Sequence, residues 1–198
     1  VGYKDREVEI KLLVTSHDCL YGSVNRHIRK FVAEIFPEYE EISGNSFDLY
    51  WKTSEHAMAD FVRLRRNRSG ACVTMKSTDR GDNVDRVEVD LSVDSFKQAH
   101  SVLSGIFPEA PTKVKKKYNV YFLENEDTTI SVYAVDGDKA NNVFVEVEAR
   151  TLTRVKDLVK QLVEKTEWEY AWSKSSLFNI FVQEQKIKLA RVEEFLEA

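Results

Sequence analysis

Four stretches of this sequence place charged side chains two residues apart, Glu7-Val8-Glu9-Ile10-Lys11, Arg63-Leu64-Arg65, Arg86-Val87-Glu88-Val89-Asp90 and Glu146-Val147-Glu148-Ala149-Arg150, and a fifth, Thr74-Met75-Lys76, sets a hydroxyl two residues before a lysine. In a β-strand that spacing puts the charges of each stretch on one face and the intervening apolar residues on the other. Clustered carboxylates suit a hard divalent cation, whereas an arginine fork and a lysine point charge suit phosphate oxygens. Taken singly, each stretch reads as the solvated face of a sheet. Taken together, with signs that complement one another, they read as a site for a metal and a polyphosphate.

The elements that would carry these faces follow from pattern. Val24, Ile28, Phe31, Val32 and Ile35 predict a helix over about 19–36, closed before Pro37, with Ser16-His17-Asp18 ahead of it as cap. A turn-rich stretch at Ser43-Gly44-Asn45-Ser46 leads to a short strand, Phe47–Trp51, and further turns fall at Asn67–Gly70 and Asp79–Asn83. Phe96, Ala99, Val102 and Leu103 predict a second helix that stops near Gly105, and Leu152, Val155, Leu158, Val159 and Leu162 predict a third. A linker over Glu167–Trp172, an apolar segment Leu177–Val182 and a terminal helix through Phe195 complete the chain. Ile35-Phe36-Pro37-Glu38 and Ile106-Phe107-Pro108-Glu109 are one tetrapeptide used twice, each time after a helix that follows a charged strand. Duplication and coincidence both account for so short a match.

Eight strands and four helices define an α+β class with a mainly antiparallel sheet. An open sheet would leave the charged faces in bulk water. A closed barrel would turn them inward, where their burial calls for a charged ligand. The expectation is therefore an eight-stranded antiparallel closed β-barrel with flanking helices, built by residues 1–182. Residues 183–198 would form a helix that packs on its exterior or joins two copies of the chain as a homodimer.

With 198 residues, 42% of them apolar, the chain fits one domain with a substantial core. Its 29 Lys and Arg against 33 Asp and Glu give a net charge of −4, which argues against the bulk cationic surface that duplex nucleic acid requires. Cys19 and Cys72 match no metal-binding spacing and read as free thiols of a reducing compartment. No apolar run approaches the roughly 20 residues of a membrane span, and no leader pattern opens the sequence, so a cytoplasmic protein without a membrane partner is expected. His17, His27, His56 and His100 read as surface or capping residues. Trp168, Tyr170 and Trp172 read as packing or a lid ahead of base stacking. The run Lys113, Lys115, Lys116, Lys117 reads as a solvated sheet edge, where lysine blocks pairing with another chain, ahead of a binding site.

The chain resembles the CYTH group of triphosphate tunnel metalloenzymes, which includes class IV adenylyl cyclases, thiamine triphosphatases and inorganic triphosphatases. The family's Glu-x-Glu-x-Lys stands at Glu7–Lys11, its basic strands at Arg63-Leu64-Arg65 and the strand ending at Lys76, its Arg-x-Glu at Arg86-Val87-Glu88, and its Phe-x-Glu-x-Glu at Phe144–Glu148. The resemblance implies that Glu7, Glu9, Glu146 and Glu148 hold Mg²⁺ or Mn²⁺, and that Arg63, Arg65, Lys76, Arg86 and Lys116 hold a triphosphate. It implies that Lys11 binds phosphate or acts in catalysis, and that Glu88 is a supporting catalytic carboxylate. The sequence departs from the family at Tyr118, where an arginine is expected, at Tyr133 and Lys52, where acidic residues are expected, and at Asn142, where a glycine is expected. The implied activity is metal-dependent hydrolysis of an inorganic, thiamine or nucleoside triphosphate. The alternatives are a nucleotide or polyphosphate binder without turnover and a class IV adenylyl cyclase.

Overall fold

A strand that alternates Val, Ile or Leu with charge must have its apolar side covered, since each such side chain withdrawn from water contributes roughly 1.5–3 kcal/mol. The computed structural model describes residues 2–3, 7–16, 19–53, 61–78, 85–123, 127–136, 138, 141–166, 168–175, 180 and 186–197, and of residues 2, 3, 7, 77, 78 and 85–87 the backbone alone. The elements in chain order are β1 (Gly2–Tyr3), β2 (Glu7–Val14), α1 (Tyr21–Ile35), β3 (Glu40–Lys52), β4 (Phe61–Asn67), β5 (Gly70–Thr78), β6 (Asp85–Val93), α2 (Phe96–Ile106), β7 (Thr112–Leu123), β8 (Thr128–Val135), β9 (Val143–Ala149), α3 (Leu152–Lys165), β10 (Tyr170–Ser173), β11 (Leu189–Arg191) and α4 (Val192–Glu197). Cap residues His17 and Asp18, the turn Asp79–Asn83, His56 and, apart from Ile180, the segment Leu177–Val182 lie outside the described residues.

The expected eight-stranded closed barrel is corrected to one antiparallel sheet of eleven strands in the order β1-β6-β5-β4-β3-β7-β8-β9-β2-β10-β11. The sheet curls so that β2 meets β6, but only through the pairs Glu7↔Arg86 and Val8↔Asp85. There the strands part. The rest of that edge of β2 is taken by β10 at Leu12–Val14, and β6 is taken by β1 at Val89 and Asp90, leaving β1 and β11 at the ends of the sheet. Alternation says which side of a strand is polar, but not which neighbours claim its two edges.

The apolar sides face outward, under helices. Val8, Ile10, Leu12, Val145 and Val147 pack with Val24, Ile28 and Val32 of α1 and Val155, Leu158 and Leu162 of α3 in the main core. Leu49, Trp51, Val62 and Leu64 form a second core with Leu103 of α2. The helices keep their predicted stops, but Val102 and Leu152 of the predicted stripes are exposed; α1 ends at Ile35, with the Phe36 N–H bonded to the Val32 carbonyl at 2.7 Å. The second copy of the tetrapeptide does the same, as the Phe107 N–H bonds the Leu103 carbonyl at 2.8 Å.

The duplication extends to pairing. Exchanging β2, β3, β4 and β5 for β6, β7, β8 and β9 maps every strand neighbour in this part of the sheet onto another, including β2–β6 and β3–β7 onto themselves. A strand–helix–three-strand unit used twice explains both tetrapeptides. Helix α3 and the elements after it have no counterpart.

Other expectations change. Ser43–Ser46 is strand, not turn, inside the 13-residue β3. Gly44 answers a close approach, because a Cβ there would stand 3.1 Å from the Tyr118 hydroxyl. The expected linker includes β10, and the expected terminal helix is β11 followed by the short α4. Strand β7 is no edge, being paired with β3 on one side and β8 on the other. Cys19 and Cys72 are free. Among the described residues no helix is long and apolar enough to cross a membrane.

Candidate functional site

With the apolar sides turned out, the inner face of the curled sheet collects the charges. Strand β2 supplies Glu9 and Lys11, β4 Arg63 and Arg65, β5 Lys76, β6 Glu88, β7 Lys116, and β9 Glu146 and Glu148. Register sets opposite signs together at Lys11 and Glu146 and at Lys76 and Glu88, while Glu9 stands opposite the like-charged Glu148. Glu7 and Arg86 are strand partners as well. Their side chains lie outside the description.

The ions pair across strands. Lys11 Nζ lies 2.8 Å from Glu146 and 3.3 Å from Glu9. Lys76 Nζ lies 2.5 Å from Glu88 and 3.6 Å from Glu9, and Arg63 reaches Glu88 at 3.6 Å and donates to the Thr74 hydroxyl at 2.9 Å. The expected phosphate-binding cations and the expected metal-binding carboxylates therefore hold one another.

The sequence reading missed Asp48, the most enclosed ion of the group, which has no solvent exposure. Its carboxylate accepts both arms of the Arg65 fork at 2.9 and 2.8 Å, and Lys116 Nζ stands 3.1 Å away. Burial pushes the Asp48 carboxyl up, but Lys116 and Arg65 outweigh it and hold the group well below the usual carboxylate range. Burial, joined by repulsion from Arg65, brings Lys116 down to about 7 against the pull of Asp48. The missed signal was available: Phe47-Asp48-Leu49-Tyr50-Trp51 alternates, and Asp48 shares the polar side with Tyr50, whose hydroxyl donates to it at 3.3 Å. Lys52, where an acidic residue was expected, is exposed. The buried carboxylate of this strand is at Asp48.

The other departures also have places. The Tyr133 hydroxyl donates to Glu146 at 2.7 Å, and burial followed by that neighbouring charge keeps it protonated well above the usual range. Tyr133 and Tyr118 join Ser46, Arg65, Lys116 and Glu146 around a cavity of 150 Å³. The buried Ser46 hydroxyl, Arg63 Nε and one oxygen of Asp90 have no hydrogen-bond partner. Buried polar atoms without partners are rare, so these mark places for a ligand or water.

A resident Mg²⁺ or Mn²⁺ does not fit the described residues. No three of their Asp, Glu, His and Cys side chains gather into a group that could hold a metal. Glu9 faces Lys11 and Lys76, Glu146 faces Lys11 and Tyr133, and Glu148 accepts from Thr129 at 3.5 Å. A metal would have to displace ammonium groups to reach Glu9 and Glu146.

No protein-family model matches the chain, and no curated protein matches it in sequence. Solved structures do match in shape. The Hippeastrum protein HpAC1, an adenylyl cyclase candidate with a dominant triphosphatase activity, superposes with a TM-score of 0.63 at 15% identity, over 91% of this chain and 97% of that one. An adenylate cyclase candidate from Vibrio parahaemolyticus superposes at 0.60 and 18% identity, over 97% and 98%. The fold is shared with these two proteins. At such identities the relation is one of fold. A chain of the Schizosaccharomyces pombe Mediator head module superposes at 0.58 with 9% identity, over 84% and 98%, so chains of this shape serve different ends.

Breaking the Asp48 cluster tests its weight. Asp48→Asn leaves Arg65 and Lys116 without their carboxylate and is expected to destabilise the fold by about 3 kcal/mol at pH 7. Because the folded carboxyl is held low, its contribution is present above the unfolded value near about pH 4 and is lost as pH falls further. Urea denaturation is expected to show the gap between wild type and variant narrowing below about pH 4. Equal stability at pH 7 contradicts the cluster.

Proposed function

We propose that this protein binds a triphosphate-bearing small molecule on its charged inner face and hydrolyses a phosphoanhydride bond there. The observation that supports this most is the convergence of Arg65 and Lys116, from two strands, on one polar cavity in a fold shared with a protein of triphosphatase activity. The Arg65 fork suits two phosphate oxygens, and Lys116, Arg63, Lys76 and Lys11 supply point charges around it. Glu88 holds Lys76 and Arg63 in place. Cations fixed in this way neutralise the charge that grows on the leaving phosphate as water attacks in line.

Charge balance constrains how a triphosphate enters. Lys11, Arg63, Arg65, Lys76 and Lys116 face Glu9, Asp48, Glu88, Asp90, Glu146 and Glu148 on the inner face, so the described side chains carry no spare positive charge. Phosphate oxygens must replace Asp48 on Arg65, or arrive with cations of their own. A second reading, binding without turnover, has a specific observation in its favour: the carboxylates expected to hold metal are tied to Lys11, Lys76, Tyr133 and Thr129.

Product analysis separates the readings. Tripolyphosphate, thiamine triphosphate and ATP, each with Mg²⁺, Mn²⁺ or chelator, are expected to yield orthophosphate, and Arg65→Ala to weaken triphosphate binding by roughly 2–3 kcal/mol. Cyclic nucleotide with pyrophosphate would assign a cyclase, tight binding without product a binder, and no binding at all would end the proposal. Affinity should also depend on pH. Lys116 loses its charge as pH rises through about 7, so calorimetric affinity for tripolyphosphate is expected to fall above that value. The fall should approach about tenfold per pH unit and be absent in Lys116→Gln. An identical profile in the variant contradicts a role for this ammonium.

A further inference from the structure

The lysine run on β7 is not explained by the inner site. Lys116 points inward and is buried, while Lys113, Lys115 and Lys117 alternate with it and are exposed on the outer face. Their reading as a guarded sheet edge fails, because β7 is paired on both sides along this stretch. Another role is required for three ammonium groups on one face of an internal strand.

These lysines border a cavity. A groove of 820 Å³ lies over the outer face of β4, β3, β7 and β8, lined by Asn45, Phe47, Arg66, Lys115, Lys117 and Asp136 among others. Its outer position follows from its neighbours: Arg66 lies 5.2 Å from the ring of Phe96 in the first turn of α2, and Lys117 lies 5.1 Å from the ring of Tyr21 in the first turn of α1. Both helices sit on the outside of the sheet, and neither has an acidic residue in its first turn. The inner cavity is lined by the inward residues of the same strands, and Ser46, Asn67 and Lys116 border both spaces.

The groove carries more cations than carboxylates. Among the described residues Arg66, Lys115 and Lys117 make no ion pair, and Asp136 is the one carboxylate on the groove's lining, in a chain whose net charge is −4. Local positive charge on an acidic chain has to come from clustering, and this is where the described exposed cations cluster unpaired. The volume falls within the range of small-molecule sites, about 300–1,000 Å³. Lys115 and Lys117, two residues apart on one strand, stand roughly 7 Å apart at the backbone, a spacing that lets both reach one phosphate group or two neighbouring ones.

We propose that this groove, which adjoins the inner cavity at Ser46, Asn67 and Lys116 but presents Arg66, Lys115 and Lys117 on the outer face, is a second anion site that takes a phosphorylated small molecule of nucleotide size. Arg66, Lys115 and Lys117 hold the phosphate, and Asn45 and Phe47 offer an amide and an apolar surface to the remainder. The lining favours a small molecule over single-stranded nucleic acid, because its aromatic ring, Phe47, is half-buried against Phe96, with ring centroids 6.0 Å apart, rather than presented as a platform for successive bases.

Calorimetric titration of the full chain with adenosine monophosphate tests the site. Saturable binding is expected in wild type, at least tenfold weaker binding in Lys115→Glu/Lys117→Glu and in Arg66→Ala, and unchanged binding in Lys113→Glu, which alters the same strand face outside the groove. Thermal melting of each variant confirms folding, and since all four side chains are exposed the melts should match wild type. Tripolyphosphate hydrolysis measured on Lys115→Glu/Lys117→Glu should persist, which separates failure of the outer site from failure of the inner one. No binding of adenosine monophosphate, binding indifferent to the double variant, or an equal loss in Lys113→Glu would overturn the proposal. Binding of a short oligonucleotide without binding of the mononucleotide would also overturn it and assign the groove to nucleic acid.

Discussion

The structure depends on one buried cluster, Asp48 held between Arg65 and Lys116. A carboxylate with no solvent exposure is tolerable only with opposite charge and hydrogen bonds around it, and a fork plus an ammonium supply both. The cluster joins β4 and β7 through the strand between them, at the wall of the inner cavity. It also keeps two cations facing each other across a space that their repulsion would otherwise open. A phosphate likewise offers two anionic oxygens to the fork, so the residue that stabilises the empty site resembles the ligand that would replace it.

That exchange explains why a curled sheet suits the site. Each strand carries its apolar side outward to a helix and its charged side inward, and curvature brings inner faces from β2 through β9 within ion-pair reach. Lys11, Lys76 and Arg63 each bridge strands, so the network ties the curl together where β2 and β6 are joined by only two residue pairs. The doubled strand–helix–three-strand unit builds this concavity from two similar halves. Their outer faces are unevenly covered, since α3 lies over β9 and β2, one strand from each half, and the groove over β3 and β7 stays open between α1 and α2.

Much of this arrangement was legible in the residues. Period-two charge identified β2, β4, β5, β6 and β9 and placed Glu9, Lys11, Arg63, Arg65, Lys76, Glu88, Glu146 and Glu148 on one face, because alternation is a local property of a strand. Closure was not legible, because the short β10 takes part of the edge of β2 and the short β1 part of the edge of β6 through pairings that no local pattern announces. Asp48 was hidden because it stands as a lone acid in an aromatic stretch, Phe47–Trp51, where packing was the stronger signal. Gly44 resembled a turn because its neighbours are small and polar, although the ring of Tyr118 on the paired strand is the reason for it. The lysine run divided in a way that composition cannot show, with one ammonium inside and three outside.

The account rests on the inner cluster giving way to phosphate. The most direct measurement is a crystal structure of the chain with bound tripolyphosphate. Phosphate oxygens are predicted within hydrogen-bond distance of Arg65 and Lys116, with Asp48 displaced from at least one of them. Tripolyphosphate bound elsewhere, over an Asp48 cluster that is unchanged, would contradict it.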